Sequence, residues 1–481
     1  MSLSSEHPMY SKYLLDWDQM TDCYAGERTV KNRTVKYLAA TPGQEEDGMK
    51  NREQAGYRSY LAYLSRARFP DFVAQAVEGL LGIMHHKEAT IELPEQMESL
   101  RENATVRGES LQMLLRRINE AQLVTGRVGI LADVANESPV GTMPYIALYR
   151  AQDITNWDDG SREDLVYQVL NMVVLNESEY ERVTHFDWEL KTKYRLLLLG
   201  DIDENEAAGL YTMGVYQEDK GGLDYNEASM ITPSIAGATL DEIPFVIINS
   251  KDIVSDPDDP PLLGLSNLAL TVYRGEADYR QALFLQGQDT FVMIGGQDDN
   301  PRLGAGAVVN VPLNGDAKFV GVDSKGLPEM RQALENDKKE ASEIGGRLLD
   351  TQGGDAESGD ALRIRVSART AALNQIALAG AEGLQSLLRT IAKWIGVDPE
   401  QVIVTPNLDF ADDTLDGQTL VQYMTAKGLG APISKRSVHR LLQEKDLTEM
   451  EFEDEMAEIA NEAPEDPEGT GVEDTEDTED E

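Results

Sequence analysis

The sequence predicts an α+β chain, with helices and strands in separate runs rather than in strict alternation. Three observations carry that expectation. Helix-period apolar runs occupy residues 56–84 and 108–123, short β-type runs divided by acidic turns fill 128–248, and long helix-period segments dominate 260–399. At 481 residues, 41% of them hydrophobic, the chain can bury two or three cores or build one elongated protomer.

Taken in order, residues 1 to 50 are polar and hold the loop Thr41–Gly48; Met20 to Leu38 is the one stretch there with a helical pattern. From Gly56 to Met84 apolar residues recur at helical spacing (Tyr57, Tyr60, Leu61, Leu64, then Val73, Ala76, Leu80), with Pro70 marking a break. A further helix is expected over Gly108–Leu123. Val128–Asp133 reads as a buried strand and Pro144–Tyr149 as another. Strand-like runs follow at Val166–Leu175, Thr192–Leu199, Leu210–Tyr216 and Ile243–Ile248.

The stretch 260–399 organises the rest. A helix opens at Pro260-Pro261, where a fixed φ and a missing donor do no harm, and fades near Gly287. Two β-type runs, Thr290–Ile294 and Ala307–Val311, come next. A second helix spans Leu327–Leu348, with Leu327, Met330, Leu334, Asp337, Ala341, Ile344 and Leu348 spaced 3-4-3-4-3-4. That is a heptad seam with one polar interruption, a pattern for lengthwise helix packing. Taken alone it reads as a surface helix packed on its own domain. Beside the preceding helix and β unit it reads as a seam between subunits, which one protomer is not expected to bury alone. The glycine-rich stretch Asp350–Asp360 cannot continue it. A long helix then reaches Trp394 with Leu373, Ile376, Leu384, Leu388 and Ile391 on one stripe, and Val402–Val404 gives a return strand. Ser434 suits the N-cap of a helix over 435–443. From Glu451 onward there is no lysine or arginine, and the last twenty residues have almost nothing to bury, so disorder is expected there.

The formal net charge of −43 disfavours a sequence-independent nucleic-acid binder, which needs a basic face. Cys23 is the only cysteine, which excludes an intrachain disulfide and a cysteine zinc site. The N-terminus lacks the basic and apolar regions of a signal peptide, and no apolar run approaches the ~18 residues of a membrane span, so no membrane role is expected. No GxxxxGK[ST] phosphate loop, HExxH, GxSxG elbow or GxGxxG after a strand occurs. His85 and His86 are adjacent and should point apart, which disfavours a metal pair. Asp201–Asn205 begins like a calcium loop, but Glu206 and Thr212 stand where Gly and Glu are required, so it reads as an acidic turn. No catalytic residue, metal or cofactor is expected. The competing enzyme class is an acidic carbohydrate-active hydrolase using paired carboxylates, against which 6% aromatics without clustered Trp weigh.

The stretches PPLLGLSNLALTVYRGEADYRQALFLQGQDTFVMIGG and LGAGAVVNVPLNGDAKFVGV are similar to the stem-to-clip region of portal proteins of tailed double-stranded DNA bacteriophages. RSYLAYLSRARFPDFVAQAVEGLLGIMHHKEATIELP resembles the N-terminal helices of the same family, and Ile154–Trp157 looks like its turn after the second strand. The resemblance runs from about residue 50 to 460 and rests on the order of the pieces as much as on identity. It implies a portal-type protomer: N-terminal arm and wing (1–259), first stem helix (260–287), clip (288–324), second stem helix (325–348), tunnel loop (349–361), tunnel helix and return strand (362–410), crown-like helices (411–460) and an acidic tail (461–481).

The function so implied is a head-tail connector ring at one capsid vertex of the virion, assembled in the host cytoplasm. Double-stranded DNA passes through it during packaging and ejection, without sequence specificity. The implied partners are further copies of the chain (twelve in related portals), the terminase ATPase, the major capsid protein and scaffold, and a head-completion adaptor. Gln352, Gly353, Gly354, Asp355, Glu357 and Ser358 would form the tunnel loop. Glu335, Lys338, Lys339, Arg363 and Arg365 would line the channel wall, and Leu327, Met330, Leu334, Ala341, Ile344 and Leu348 would pack the stem. Another head-to-tail connector ring is the alternative within this class. The acidity suits a conduit, because strong phosphate binding through counterion release would stall a duplex.

Overall fold

The computed structural model describes residues 3–134, 141–161, 168–200, 209–218, 225–226, 229–287, 290–295, 313–320, 326–349, 359–408, 410, 425, 434–444, 448 and 450–461. The chain divides into two units, residues 1–408 and 409–481. The α+β class expected from the sequence is the one observed.

The first unit opens with α1 (Pro8–Tyr24), which buries Tyr10, Tyr13, Trp17, Met20 and Cys23. Pro8 occupies its first turn, and the Met9 N–H donates to Nδ1 of the N-cap His7 at 3.2 Å. The sequence reading placed a helix over Met20–Leu38 instead. The chain there breaks after Tyr24 into the short α2 (Glu27–Asn32) and a 3₁₀ turn at Thr34–Lys36. The main helix begins twelve residues earlier because its aromatic stripe, not propensity, supplies the burial. Helices α3 (Pro42–Glu46), α4 (Ala55–Arg66) and α5 (Phe72–Met84) follow, the last two divided at Pro70 as expected.

Strand β1 (Thr90–Glu92) and the short α6 (Ser99–Glu102) lead to α7 (Leu111–Thr125). Ser110 caps α7 through Met113 N, and Gly126 ends it at φ +73°, a conformation that a side chain would disfavour. Strand β2 (Arg127–Asp133) is buried at every residue. It is the middle of a three-stranded antiparallel sheet, between β3 (Tyr145–Arg150) and β11 (Phe245–Asn249). Its two faces serve different cores, which explains its unbroken apolar run. Val128, Ile130 and Ala132 pack with Leu115 and Ile118 of α7 and with Leu384, Leu388 and Ile391 of the last long helix. Leu131 packs on the other side with Trp17, Tyr149, Ile154, Trp157 and Phe245. Gly129 is required there, since a Cβ would lie 2.3 Å from the Phe245 ring.

The second core is roofed by a five-stranded antiparallel sheet in the order β10-β9-β8-β5-β4. It comprises β4 (Ile154–Ser161), β5 (Gln168–Asn176), β8 (Lys193–Leu199), β9 (Tyr211–Gln217) and β10 (Met230–Ile231). A separate hairpin, β6 (Glu179–Arg182) and β7 (Trp188–Lys191), lies between β5 and β8 in sequence. The expected turn at Ile154–Trp157 is corrected to the start of β4. A 3₁₀ turn at Ala151–Asp153 makes the reversal, and register shifts at Ile154/Asn156 and Asp158/Asp159 accommodate the polar residues while Ile154 and Trp157 stay buried.

Next come α8 (Leu263–Gln286), β12 (Thr290–Ile294), β13 (Asp316–Val320), α9 (Leu327–Leu349) and α10 (Gly359–Ile395). The first of these helices starts three residues later than the sequence reading, because Pro260 to Leu262 form a turn whose Pro260 carbonyl accepts from Leu263 N at 3.1 Å. Finally β14 (Ile403–Thr405) pairs antiparallel with β1, Thr90 opposite Thr405. The run Ala307–Val311, the turn at Asp201–Asn205, the beginning of the run at Val166, the loop at 350–358 and the acidic tail lie outside the described residues.

In the second unit, α11 (Lys435–Glu444) starts at Ser434, whose Oγ accepts from Ser437 N at 2.9 Å, as the cap reading expected. α12 (Phe452–Asn461) sets Phe452 edge-on against the His439 ring at 5.3 Å. No helix among the described residues is long and apolar enough to cross a membrane.

Candidate functional site: the helix pair and its anchorage

Helix α8 is buried over its N-terminal half and emerges over its C-terminal half. Leu265, Ala269, Leu270, Val272, Tyr273 and Ala277 are buried, whereas Leu283, Phe284 and Leu285 are each 40–45% exposed. The buried half is tied to the rest of the unit by polar contacts. Gln19 Nε2 donates to Ser266 Oγ at 2.9 Å, the Tyr63 hydroxyl to Asp278 Oδ1 at 2.5 Å, and Arg274 Nε to the Tyr37 carbonyl at 2.9 Å. Arg66 lies over the Phe284 ring at 4.0 Å, shielding one face of it.

At its far end α8 passes into β12, which pairs antiparallel with β13 from Thr290 opposite Val320 to Ile294 opposite Asp316. Helix α9 follows after six residues, so the ladder holds the C-terminal end of α8 and the N-terminal end of α9 together, and the two helices run in opposite directions. They pack on each other directly. Leu334 reaches Gly275, where an added Cβ would lie 2.9 Å from its Cδ2. Lys338 and Arg280 converge on the buried Glu276, Arg280 Nε at 2.6 Å. Burial pushes the Glu276 carboxyl up, but the hydrogen bonds from Lys338 and Arg280 outweigh it and hold the group below its usual range.

This arrangement corrects one expectation about the seam. Leu334 and Ala341 are 6% and 1% exposed within a single chain, because α8 and also α5 lie against α9. The protomer therefore buries the middle of the seam itself. Leu327, Met330, Asp337 and Ile344 are half-buried, and the side chain of Leu348 lies outside the described residues. Of the residues assigned to a channel wall, Glu335 is exposed and pairs with Arg331 at 3.3 Å, and Lys339 is exposed and pairs with Glu343 at 3.9 Å. Lys338 is turned toward α8 and clamps Glu276, so its charge serves the helix pair. The side chains of Arg363 and Arg365, and all of Gln352, Gly353, Gly354, Asp355, Glu357 and Ser358, lie outside the described residues.

The anchorage of α10 is close. A Cβ at Gly383 would meet Ile248 of β11 at 2.4 Å, and one at Gly380 would meet Asn119 Nδ2 at 2.5 Å and Gln122 Oε1 at 2.9 Å. These α7 amides belong to a buried chain of hydrogen bonds. The His85 ring nitrogen Nε2 lies 2.9 Å from Asn119 Oδ1, Asn119 Nδ2 donates to Gln122 Oε1 at 2.8 Å, and Gln122 Nε2 donates to the Asn249 carbonyl at 2.6 Å. Burial pushes the His85 imidazole below its ordinary pKa, with Arg116 adding to the effect and the Asn119 hydrogen bond opposing it. His86 turns the other way, toward the Ile83 carbonyl and Asn407. The two histidines thus share no ligand.

No group of three or more His, Cys, Asp or Glu among the described residues is placed to hold a metal. Cys23 is buried, which pushes its thiol up to about 12, with Asp22 adding to the effect; it is no nucleophile at neutral pH. Sequence reasoning missed Glu276, although its place between Tyr273 and Ala277 on the buried stripe of α8 was a signal. A carboxylate at such a position needs a cation brought by another element.

One family model, "Domain of unknown function (DUF4055)", matches residues 261–395, the stretch from the entry of α8 to the end of α10. No curated protein matches the chain. Among solved structures, the chain is similar to one in the "neck of native GTA particle computed with C12 symmetry", at 12% identity over 77% of this chain and 89% of that one, TM-score 0.38. It is also similar to one in the "neck of empty GTA particle computed with C6 symmetry", at 12% identity over 78% and 90%, TM-score 0.36. A chain of the "virion of native gene transfer agent (GTA) particle" matches at 10% identity over 77% and 89%, TM-score 0.37.

Proposed function

We propose that this chain is a portal protein: a subunit of a ring at one vertex of a phage-type capsid, through which double-stranded DNA is packaged and ejected. The observation that carries the reading is the antiparallel pair α8/α9, closed at one end by the β12–β13 ladder and followed by α10, which leads back into the core beside β14. That is the order stem helix, clip, stem helix, tunnel helix, return strand that the sequence resemblance implies. The ring is not an enzyme. The packaging ATPase is a separate protein that docks at the clip, and capsid protein, scaffold and a head-completion adaptor contact the other faces.

Charge supports a conduit. The exposed side of α9 carries Glu329, Arg331, Glu335, Lys339 and Glu343, a mixed surface on which opposite charges pair at i,i+4. Such a surface offers a duplex no continuous cationic track, so counterion release contributes little and the DNA is free to slide. Negative-stain imaging and mass photometry of the purified chain test the reading. Rings with a central hole and the mass of twelve chains are expected; compact monomers at micromolar concentration refute it.

A further inference from the structure

The hairpin β6–β7 continues the β5–β8 pair outward, past the five-stranded sheet. The bond from Glu177 N to the Lys193 carbonyl at 2.8 Å extends the ladder into it. Its tip is tied by Val183 N to the Asp187 carbonyl at 3.0 Å and by the Thr184 hydroxyl to the Asp187 carboxylate at 2.7 Å. The register sorts its side chains by face. Tyr180 lies opposite Leu190 and Arg182 opposite Trp188, while Glu179 faces Lys191 and Glu181 faces Glu189. One face is therefore aromatic and aliphatic with a single cation; the other is acidic.

The apolar face is bare. Tyr180 is 67% exposed, Trp188 61% and Leu190 57%, and Phe186 at the tip is 90% exposed. Single exposed apolar residues are ordinary, but a contiguous group on a projecting element is not. A two-stranded hairpin is marginal in water without a covered face, and the opposed pair Glu181/Glu189 weakens the acidic face further. Three aromatics bury about 150–250 Å² each when fully covered. With Leu190 the face offers on the order of 600 Å², most of the ~800 Å² that one partner contributes to a standard interface.

We infer that this face docks on a second copy of the chain, as the protruding half of a heterologous contact between neighbours in the ring. The inference rests on the ring reading for the existence of neighbours, and adds which surface joins them. Charge selects the occupant. Every copy carries a formal charge of −43, so its surface is acidic. The apolar face meets such a surface with Arg182 and no strand carboxylate, whereas Glu179, Glu181 and Glu189 point away. A head-to-tail contact of this kind, repeated around an axis, closes a ring.

Trp188 makes the inference measurable, because Trp17, Trp157 and Trp394 are all buried. Acrylamide quenching of the full chain is compared below and above its assembly concentration, with Trp188→Phe as the reference. Quenching in the assembled wild type is expected to fall to the level of Trp188→Phe. The double variant Phe186→Ser/Trp188→Ser is expected to need at least tenfold more protein to assemble, with an unchanged far-UV spectrum. If that variant misfolds, wild-type quenching alone decides. Rings in which Trp188 stays as quenchable as in the monomer overturn the inference and leave the ring reading standing. Protection of Trp188 that arises only when a different protein is added overturns it equally. A wild-type chain that remains monomeric at every concentration overturns both.

Discussion

Two glycine-to-alanine changes, identical in chemistry, should move stability in opposite directions. Gly82 lies on the exposed side of α5, where an added Cβ meets nothing within 4 Å. Alanine there gains the usual helix-propensity difference, about 1 kcal/mol. Gly380 has the same propensity to gain, but its Cβ would stand 2.5 Å from Asn119 Nδ2 and 2.9 Å from Gln122 Oε1. Both amides are almost fully buried and have no free volume to swing into. Displacing them breaks the Asn119–Gln122 bond at 2.8 Å and strains the Gln122–Asn249 bond at 2.6 Å. A buried polar group left without its partner costs about 1–3 kcal/mol, so two affected groups outweigh the propensity gain. Gly380→Ala should lose on the order of 2 kcal/mol while Gly82→Ala gains ~1, a gap of about 3 kcal/mol. Urea titrations followed by far-UV circular dichroism at one protein concentration measure the gap as a shift in midpoint at constant slope. If Gly380→Ala unfolds at or above the midpoint of Gly82→Ala, then α10 does not sit on α7 as described.

Two other perturbations separate local from assembled structure. His85 is held below its ordinary value of 6.5 in the folded chain, so above that pH it is neutral in both states and contributes no pH dependence. As pH falls below 6.5 the unfolded chain takes up a proton that the folded chain resists, and stability drops by up to about 1.4 kcal/mol per pH unit. Thermal melts of His85→Gln should therefore fall less steeply than wild type between pH 6.5 and 5.5, and parallel slopes would contradict the buried-imidazole account. Leu334→Asp places an unpartnered carboxylate between α8 and α9, so the unfolding free energy of the monomer from urea titration should fall by on the order of 3 kcal/mol. An unchanged monomer that has lost only its rings would show that Leu334 is buried by a neighbouring copy instead.

Much of the architecture was legible because burial on one stripe or on two faces leaves a strong periodic signal. The stripe Leu373 to Ile391 in α10 and the unbroken run of β2 are of that kind, and both occupy the expected positions. Helix α1 was missed because its buried residues are tyrosines, a tryptophan and a methionine among charged neighbours, although the spacing Tyr10, Tyr13, Trp17, Met20 was there to read. The strand at Ile154 was hidden by Asp158, Asp159 and Gly160, turn formers that edge pairing and bulges tolerate. The hairpin β6–β7 was missed although Trp188-Glu189-Leu190-Lys191 alternates apolar and polar residues; four residues to a strand, with Glu179-Tyr180-Glu181-Arg182 mostly charged, make the signal short. At the helix pair, the heptad identified which residues are inward but not what they face. Periodicity records burial and is silent about whether the covering surface belongs to the same chain.

That distinction decides where the energy of a ring can come from. Because α8 and α5 already cover Leu334 and Ala341, the outer side of α9 is left with paired charges, each pair contributing about 0.3–0.5 kcal/mol and screened over ~8 Å at physiological salt. In the ring proposed above, contacts made by this side of α9 would be polar, adjustable and individually weak, which suits a wall around a helical polymer whose symmetry does not match the ring. Exposed apolar area in the described residues lies at the C-terminal end of α8 (Leu283, Phe284, Leu285) and, more extensively, on the aromatic face of β6–β7. On that proposal the labour is divided: the hairpin would supply affinity between copies, and the helix pair a water-compatible wall. Loosening one need not loosen the other, because the first depends on buried apolar area and the second on screened charge.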